Sequence, residues 1–364
     1  MSIYIHIPFC NSICSYCDFC KFFYNEKYVD LYLEALEKEI KQNYKNEIIS
    51  TIYIGGGTPS CLTKKQLDKL LQLMMIFKKS KNLEFTIEIN PEMELEKVDL
   101  FCKYGINRVS IGVETIHPQH LKMLNRNHTK EQVMELVNAL KKHDIQNINI
   151  DLMYALPNET IQELEEDLSF FLGLNIPHIS TYSLMIEPHT KLYIDQVENM
   201  DEDMDEQMYQ TILHTLTENQ YIHYEVSNFS KQGYSSNHNL VYWNNLEYYG
   251  FGIGASGYID SIRYDNTKSF KDYIKGLYRK EEHVLSKKEK IENEFILGFR
   301  KTQGISITEF QKKYGFDIFC ISIVKKLLRE KKLLLDDDDL KINPQYFYIS
   351  NRILVDFIDL KEVI

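Results

Sequence analysis

No stretch of this sequence approaches the roughly 20 consecutive apolar residues that a bilayer-crossing helix needs. A membrane span is therefore not expected. Positive charge is in deficit: 42 Lys and Arg stand against 53 Asp and Glu, a formal net charge of −11. Such a surface repels phosphate backbones, and no run of Lys and Arg is dense enough to offset it, so nucleic acid is not expected as a partner. The opening residues, Met1-Ser-Ile-Tyr-Ile-His-Ile-Pro8, have neither a basic leader nor a long apolar segment. No signal peptide is expected there, and the expected compartment is the cytoplasm. Internal repeats and low-complexity linkers are also missing. What remains is an ordinary globular composition, 44% hydrophobic and 26% charged, over 364 residues. That length suits one large domain with a smaller one.

Cysteine is scarce, with seven in all, but four fall between Cys10 and Cys20. Cytosolic thiols stay reduced, which favours metal ligands or free thiols over disulfides. Cys61, Cys102 and Cys320 are scattered and are expected to be small buried apolar residues.

The first half alternates short β-rich runs with helix-period stretches. Strands are predicted at residues 3–7, 51–54, 85–89, 108–111, 148–153 and 178–184. Helices are predicted at 29–44, 64–77, 130–143 and 160–172, the last opened by Thr160 and Glu163 at capping-box spacing. Six β–α units imply parallel strands with helical crossovers, either as an open partial barrel or as a doubly wound sheet. In both, the site lies at the carboxyl ends of the strands. The chemically unusual residues fall there: the cysteine cluster, Gly55-Gly-Gly-Thr-Pro59, Glu88, Glu114 and Asp151.

Beyond Leu184 the alternation fades. A helix is expected at 203–219, with Asp201-Glu-Asp203 at the positive end of its dipole. An aromatic-rich stretch, 221–258, reads as loop. Helices at 287–299, 307–314 and 318–331 and a hairpin turning at Asp336–Asp339 describe a winged-helix-like module. Four aspartates at its tip argue against DNA. The expected division is a core over residues 1–230, a connecting region over 231–285 and a helical domain over 286–364.

Cys10-x₃-Cys14-x₂-Cys17 puts three thiolates on one short loop. Closely spaced thiolates hold iron–sulfur clusters, usually four to a cubane, so three leave one iron without a protein ligand. S-adenosylmethionine (SAM) can fill that position through its amino and carboxylate groups. Zinc on the three cysteines with His6 or Cys20 is the alternative.

The run Tyr4-Ile-His-Ile-Pro-Phe-Cys10 with Cys14-Ser-Tyr-Cys17-Asp-Phe resembles radical-SAM proteins of the oxygen-independent coproporphyrinogen-oxidase family. The resemblance continues through Gly55-Gly-Gly-Thr-Pro59, Glu88-Ile-Asn-Pro91, Ser110-Ile-Gly-Val-Glu114, Asn125-Arg126 and Asn149-Ile-Asp-Leu152. It implies an α/β fold, a partial (β/α)₆ barrel with a C-terminal helical, winged-helix-like module. It implies a [4Fe–4S] cluster on Cys10, Cys14 and Cys17. It also implies a SAM site in which Tyr4 and Tyr16 flank the nucleotide and Gly57 and Thr58 offer backbone groups. There Glu88 accepts from the ribose or amine, Arg126 pairs the carboxylate and Asp151 sits nearby. Glu114 stands where the family usually has Gln, and a carboxylate cannot donate as the amide does.

Two subgroups share this core. The oxidases carry a long N-terminal extension and a cysteine two residues after the third; here that residue is Phe19, and the extra cysteine is Cys20. The block His238-Asn-Leu-Val-Tyr-Trp243, followed by Tyr249-Gly-Phe-Gly-Ile-Gly-Ala-Ser-Gly257, resembles the signature of the haem-chaperone subgroup, HemW. That resemblance implies haem held by His238, Tyr242 and Trp243, and transfer to an acceptor protein that the sequence does not identify. Peripheral contact with a membrane-bound acceptor is compatible with this. Radical-SAM oxidation of coproporphyrinogen III is the alternative activity.

Overall fold

The computed structural model describes residues 1–360. Six parallel strands form its centre: β1 (Ser2–Ile7), β2 (Ile48–Gly56), β3 (Lys78–Ile89), β4 (Arg108–Glu114), β5 (Asn147–Tyr154) and β6 (His178–Ser183). They lie side by side in chain order, each hydrogen-bonded to its successor. A doubly wound sheet would reverse direction at a switch point. The unbroken order makes this a partial barrel.

Strand alternation decides what faces where. Ile3, Ile5 and Ile7, Ile52 and Ile54, Phe85 and Ile87, and Ile148, Ile150 and Leu152 are buried in the main core beneath the helices. The intervening positions point inward and are polar or aromatic: Tyr4, Tyr53, Glu88, Ser110 and Asp151. The barrel is thus sealed on its outside by hydrocarbon and lined by hydrogen-bonding groups. The helices follow their caps. Thr160 and Glu163 form the expected capping box, and Asp201 caps the helix Glu202–Glu218.

The 221–258 stretch, expected as loop, is only partly loop: it holds four short strands of the sheet and the helix Asn237–Trp243. Ile222–Glu225 and Asn228–Ser230 extend the sheet beyond β6, and Tyr248–Phe251 pairs with β1 in parallel. Antiparallel strands Ser256–Ile259, Ile262–Asn266 and Arg279–Val284 continue from there. These strands are only three to six residues long, so no periodic pattern accumulates. Two other expectations are corrected. Cys102 and Cys320 are exposed rather than buried: Cys102 lies in the helix Val98–Tyr104 and Cys320 in a single 3₁₀ turn.

A second hydrophobic core gathers Ile291, Phe295, Phe299, Phe310, Val324 and Phe357. It joins helices Lys287–Gly298, Ile307–Tyr314 and Ser322–Arg329 to a small sheet of Ile305–Ser306, Leu333–Asp336 and Asp339–Ile342. At the hairpin tip Asp338 accepts from the Thr308 N–H at 3.1 Å, so one of the four aspartates anchors a neighbouring helix. Among the described residues no helix is long and apolar enough to cross a membrane.

Candidate functional site

The carboxyl ends of the six strands enclose a cavity of about 380 Å³. Cys14, Tyr16, Cys17, Gly57, Thr58, Glu88, Glu114, Arg126 and Asp151 all line it, although they come from segments far apart in sequence. Two expected residues stand back from the wall. Cys10 is buried beneath the cavity with the Thr58 hydroxyl 3.5 Å from its sulfur. Tyr4 lies within the barrel, where its hydroxyl meets His6 Nδ1 at 2.9 Å.

The cysteine loop is tied to the mouth at several points. Ser15 N–H donates to the Leu124 carbonyl at 3.0 Å, and the Asn125 amide donates to the Ile13 carbonyl at 2.8 Å. Leu192 N–H donates to Ser15 from a third segment at 3.0 Å. Beyond Gly56 the chain continues against the first strand, with Gly57 N–H donating to Ile7 and Thr58 N–H to Phe9, each at 2.8 Å. A Cβ on Gly57 would stand 2.7 Å from the Ile7 carbonyl, and one on Gly55 2.6 Å from the Glu88 carboxyl carbon. The glycine run therefore permits the glycine loop, the cysteine loop and Glu88 to pack on one another. This requirement is independent of any ligand.

Five carboxylates line the cavity with one guanidinium: Glu88, Glu114 and Asp151 lie on the strands, and Asp18 and Glu187 are exposed at the rim. Glu88 accepts from the Tyr53 hydroxyl at 2.7 Å and from Gly56 N–H at 3.0 Å. Glu114 accepts from the Tyr16 hydroxyl at 2.9 Å and faces Arg126 at 3.5 Å. Arg126 also reaches the Cys14 sulfur at 3.5 Å, Asn90 Oδ1 at 3.3 Å and the Gly112 carbonyl, while its Nε has no protein partner. Asp151 accepts from the Asn149 amide at 2.8 Å. Burial raises the Glu88 and Glu114 carboxyls, and burial together with the charges of those two pushes Asp151 up to about 7. The mouth carries more negative charge than Arg126 neutralises, so it suits a ligand with cationic groups and one carboxylate.

Glu114 reaches its position through an unusual backbone. The β4–β5 register shifts between Gly112 and Glu114, and Glu114 has φ 68°, a left-handed conformation. Non-glycine residues rarely adopt it and tend to do so at functional sites. Tyr53, Asn90, Gly112 and Tyr182 also belong to the site, and sequence reasoning did not single them out. Tyr53 was findable as an inward position of β2 by its period of two.

The thiols fit a metal cluster as neutral donors that a metal would deprotonate. All are free, and burial pushes Cys10 up to about 11 and also raises Cys17. Among the described residues no three His, Cys, Asp or Glu side chains gather at the spacing of a single metal ion. In a cubane each thiolate binds a different iron, which spreads the sulfurs further apart than one zinc ion would.

His238 lies elsewhere. The short helix Asn237–Trp243 closes the opposite, amino-terminal end of the barrel. Glu84, near the start of that wall, accepts from the N–H groups of Asn237 at 2.8 Å and His238 at 2.9 Å. The His238 ring is buried, with Nδ1 2.8 Å from the Thr51 hydroxyl and Nε2 2.8 Å from the Tyr242 hydroxyl. Both nitrogens are engaged. Haem at His238 would require this helix to leave the barrel floor. Trp243 is half-buried, and Tyr242 opens onto a separate groove.

Residues 4–171 match the Radical SAM superfamily. Over 98% of its length the chain is 40% identical to Heme chaperone HemW of Lactococcus lactis, covering 97% of that protein. The chain belongs to the HemW family of radical-SAM proteins. The Bacillus subtilis member is 38% identical, with 92% of each chain covered, and the Escherichia coli member 30% identical, with 91% and 89% covered. The fold matches that of coproporphyrinogen III oxidase (HemN) from E. coli. The TM-score is 0.86 at 21% identity, over 98% of this chain and 90% of that one. HemN and the HemW family thus share one scaffold.

Proposed function

We propose that this protein is a haem chaperone, binding haem and passing it to an acceptor protein. In this reading a [4Fe–4S] cluster sits on Cys10, Cys14 and Cys17 and SAM occupies the cavity beside it. The observation that carries the proposal is the 40% identity, end to end, with a protein named as a haem chaperone. The cysteine loop supports it: Phe19 stands where the oxidases carry their additional cysteine.

A cluster of this type, when bound with SAM, supplies one electron to the sulfonium. The chain's own residues bind and orient. Arg126, the one guanidinium lining the cavity, meets the SAM carboxylate. Asp151 and Glu114 face the cationic groups. Thr58 and Gly57 hold the glycine loop against the cysteines. Tyr16 and Glu114 hold the loop's far side through their hydrogen bond. Glu88 supports the glycine loop from below, since both its oxygens already accept from protein.

The test is hemin titration of the anaerobically reconstituted protein, with coproporphyrinogen III turnover measured on the same sample. Saturable binding of hemin without protoporphyrinogen formation is the expected result. Substantial turnover would overturn the chaperone reading in favour of the oxidase.

A further inference from the structure

A groove of about 730 Å³ lies outside the barrel floor and not at the cysteine loop. The helix Asn237–Trp243 forms one wall and the antiparallel extension of the sheet the other. Tyr248 pairs with Tyr258, Tyr258 with Arg263, and Arg263 with His283. Directly paired residues share a face, so these four form one row across four strands. Tyr242 meets Tyr248 edge to face at 4.6 Å. The row runs from aromatic surface to a cation to an imidazole.

We propose that this groove is the haem site. The assignment rests on the chaperone reading and says where that ligand sits. Tyr248, partly exposed, offers flat aromatic area to a porphyrin face, and the buried Tyr258 backs the groove beside it. Arg263 lies over the Tyr258 ring at 5.9 Å and, among the described residues, has no carboxylate within ion-pair distance. It is free to pair a propionate. The neighbouring acids are already engaged: Asp265 by Ser256, Glu281 by Lys280 and Glu282 by Arg279. His283 is exposed, and its Nε2 is 2.6 Å from Glu289. A carboxylate on one ring nitrogen is the arrangement that orients a metal-binding imidazole, leaving the other nitrogen for the iron. His238 then acts as a positioning residue. It holds the Tyr242 hydroxyl from inside the barrel and does not touch haem.

The location has a consequence for the chemistry. Tyr248 is level with Ser2, at the start of β1, whereas the cysteine loop follows Ile7 at its end. Five residues of strand separate these levels by ~16 Å. Haem in the groove is out of contact with a sulfonium in the mouth, as a carried ligand is and a radical-chemistry substrate is not.

The experiment is hemin titration into the full chain, reconstituted anaerobically and supplied with SAM, for the unaltered protein and for His283→Ala, Arg263→Glu and His238→Asn. Soret and EPR spectra report iron ligation. The unaltered protein should bind one hemin with an imidazole-ligated spectrum. His283→Ala should lose that spectrum and bind at least ten-fold more weakly. Arg263→Glu should keep the spectrum and also bind at least ten-fold more weakly. His238→Asn should keep the imidazole spectrum. Both groove positions are exposed, and circular dichroism with SAM binding checks that the variants fold. One-to-one binding that neither groove substitution changes overturns the groove, as does loss of the imidazole spectrum in His238→Asn alone. If the unaltered protein takes up no hemin, the chaperone reading itself fails.

Discussion

The ring of Tyr53 lies on the ring of His238, with centroids 5.0 Å apart and planes 26° from parallel. The same tyrosine donates its hydroxyl to Glu88 at 2.7 Å. One side chain thereby joins the carboxylate under the glycine loop to the helix that closes the barrel floor. Buried polar networks of this kind are costly to leave half satisfied. His238→Ala should therefore destabilise the protein by about 2–4 kcal/mol in urea unfolding, with haem absent. Tyr53→Phe keeps the stack and removes one donor, and should cost about 1 kcal/mol. A His238→Ala variant as stable as the parent would show that the stack and its two hydrogen bonds contribute nothing net.

Arg126 and Glu114 form a buried ion pair at 3.5 Å. Removing one partner of such a pair commonly costs about 3–5 kcal/mol, because the other is left uncompensated. Arg126→Met should show a loss in this range. Arg126→Met with Glu114→Gln should recover part of it, since no charge is stranded. Equilibrium unfolding of the two singles and the double gives the coupling. Strict additivity would contradict the pairing.

Asp151, pushed up to about 7, makes SAM affinity depend on pH. A cationic ligand favours the ionised carboxylate, so binding below pH 7 must release a proton. Affinity should rise with pH and level off above 7, with SAM binding up to about ten-fold weaker at pH 6 than at pH 8. Calorimetry in buffers of different ionisation enthalpy counts the proton. Asp151→Asn should bind more weakly at every pH and lose this dependence. A parent protein with the same affinity at pH 6 and 8 would contradict the assignment.

Glu159 sits at the turn after β5, where its carboxylate accepts from Leu156 N–H at 2.9 Å. Burial pushes it up to about 8. Between the ordinary carboxylate range and pH 8 the folded protein keeps a proton that the unfolded chain has released. Stability must therefore fall as pH rises through that window and level off above it. Asp151 and Glu225, both raised to about 7, act in the same direction. Glu159→Gln keeps an acceptor for Leu156 and removes the charge, so it should raise the melting temperature at pH 8 more than at pH 5. Equal shifts at the two pH values would show that Glu159 is not protonated in the folded state.

Much of this was legible in the sequence for a local reason. A strand followed by reactive residues reads directly, so Cys14, Gly57, Glu88 and Asp151 were found in the segments that line one cavity. The choice between partial barrel and doubly wound sheet was not legible, because strand order is a long-range property. The capping box at Thr160 was readable from its spacing to Glu163, and the acidic start at Asp201–Asp203 from its charge. The floor was not: His238 meets Thr51 and Glu84 across more than 150 residues, and nothing near it announces either partner. The aromatic groove escaped for the same reason, since its row forms only when four short strands align. Glu114 was noted as chemically odd, but its left-handed backbone emerges only from the bulge beside it.

The most direct measurement on the central claim is EPR of the anaerobically reconstituted, dithionite-reduced protein, with and without SAM. The account predicts a reduced [4Fe–4S] signal that changes shape on adding SAM, and its loss when Cys10, Cys14 or Cys17 is replaced by Ala. A protein that assembles no cubane, or whose cubane signal is indifferent to SAM, would contradict it.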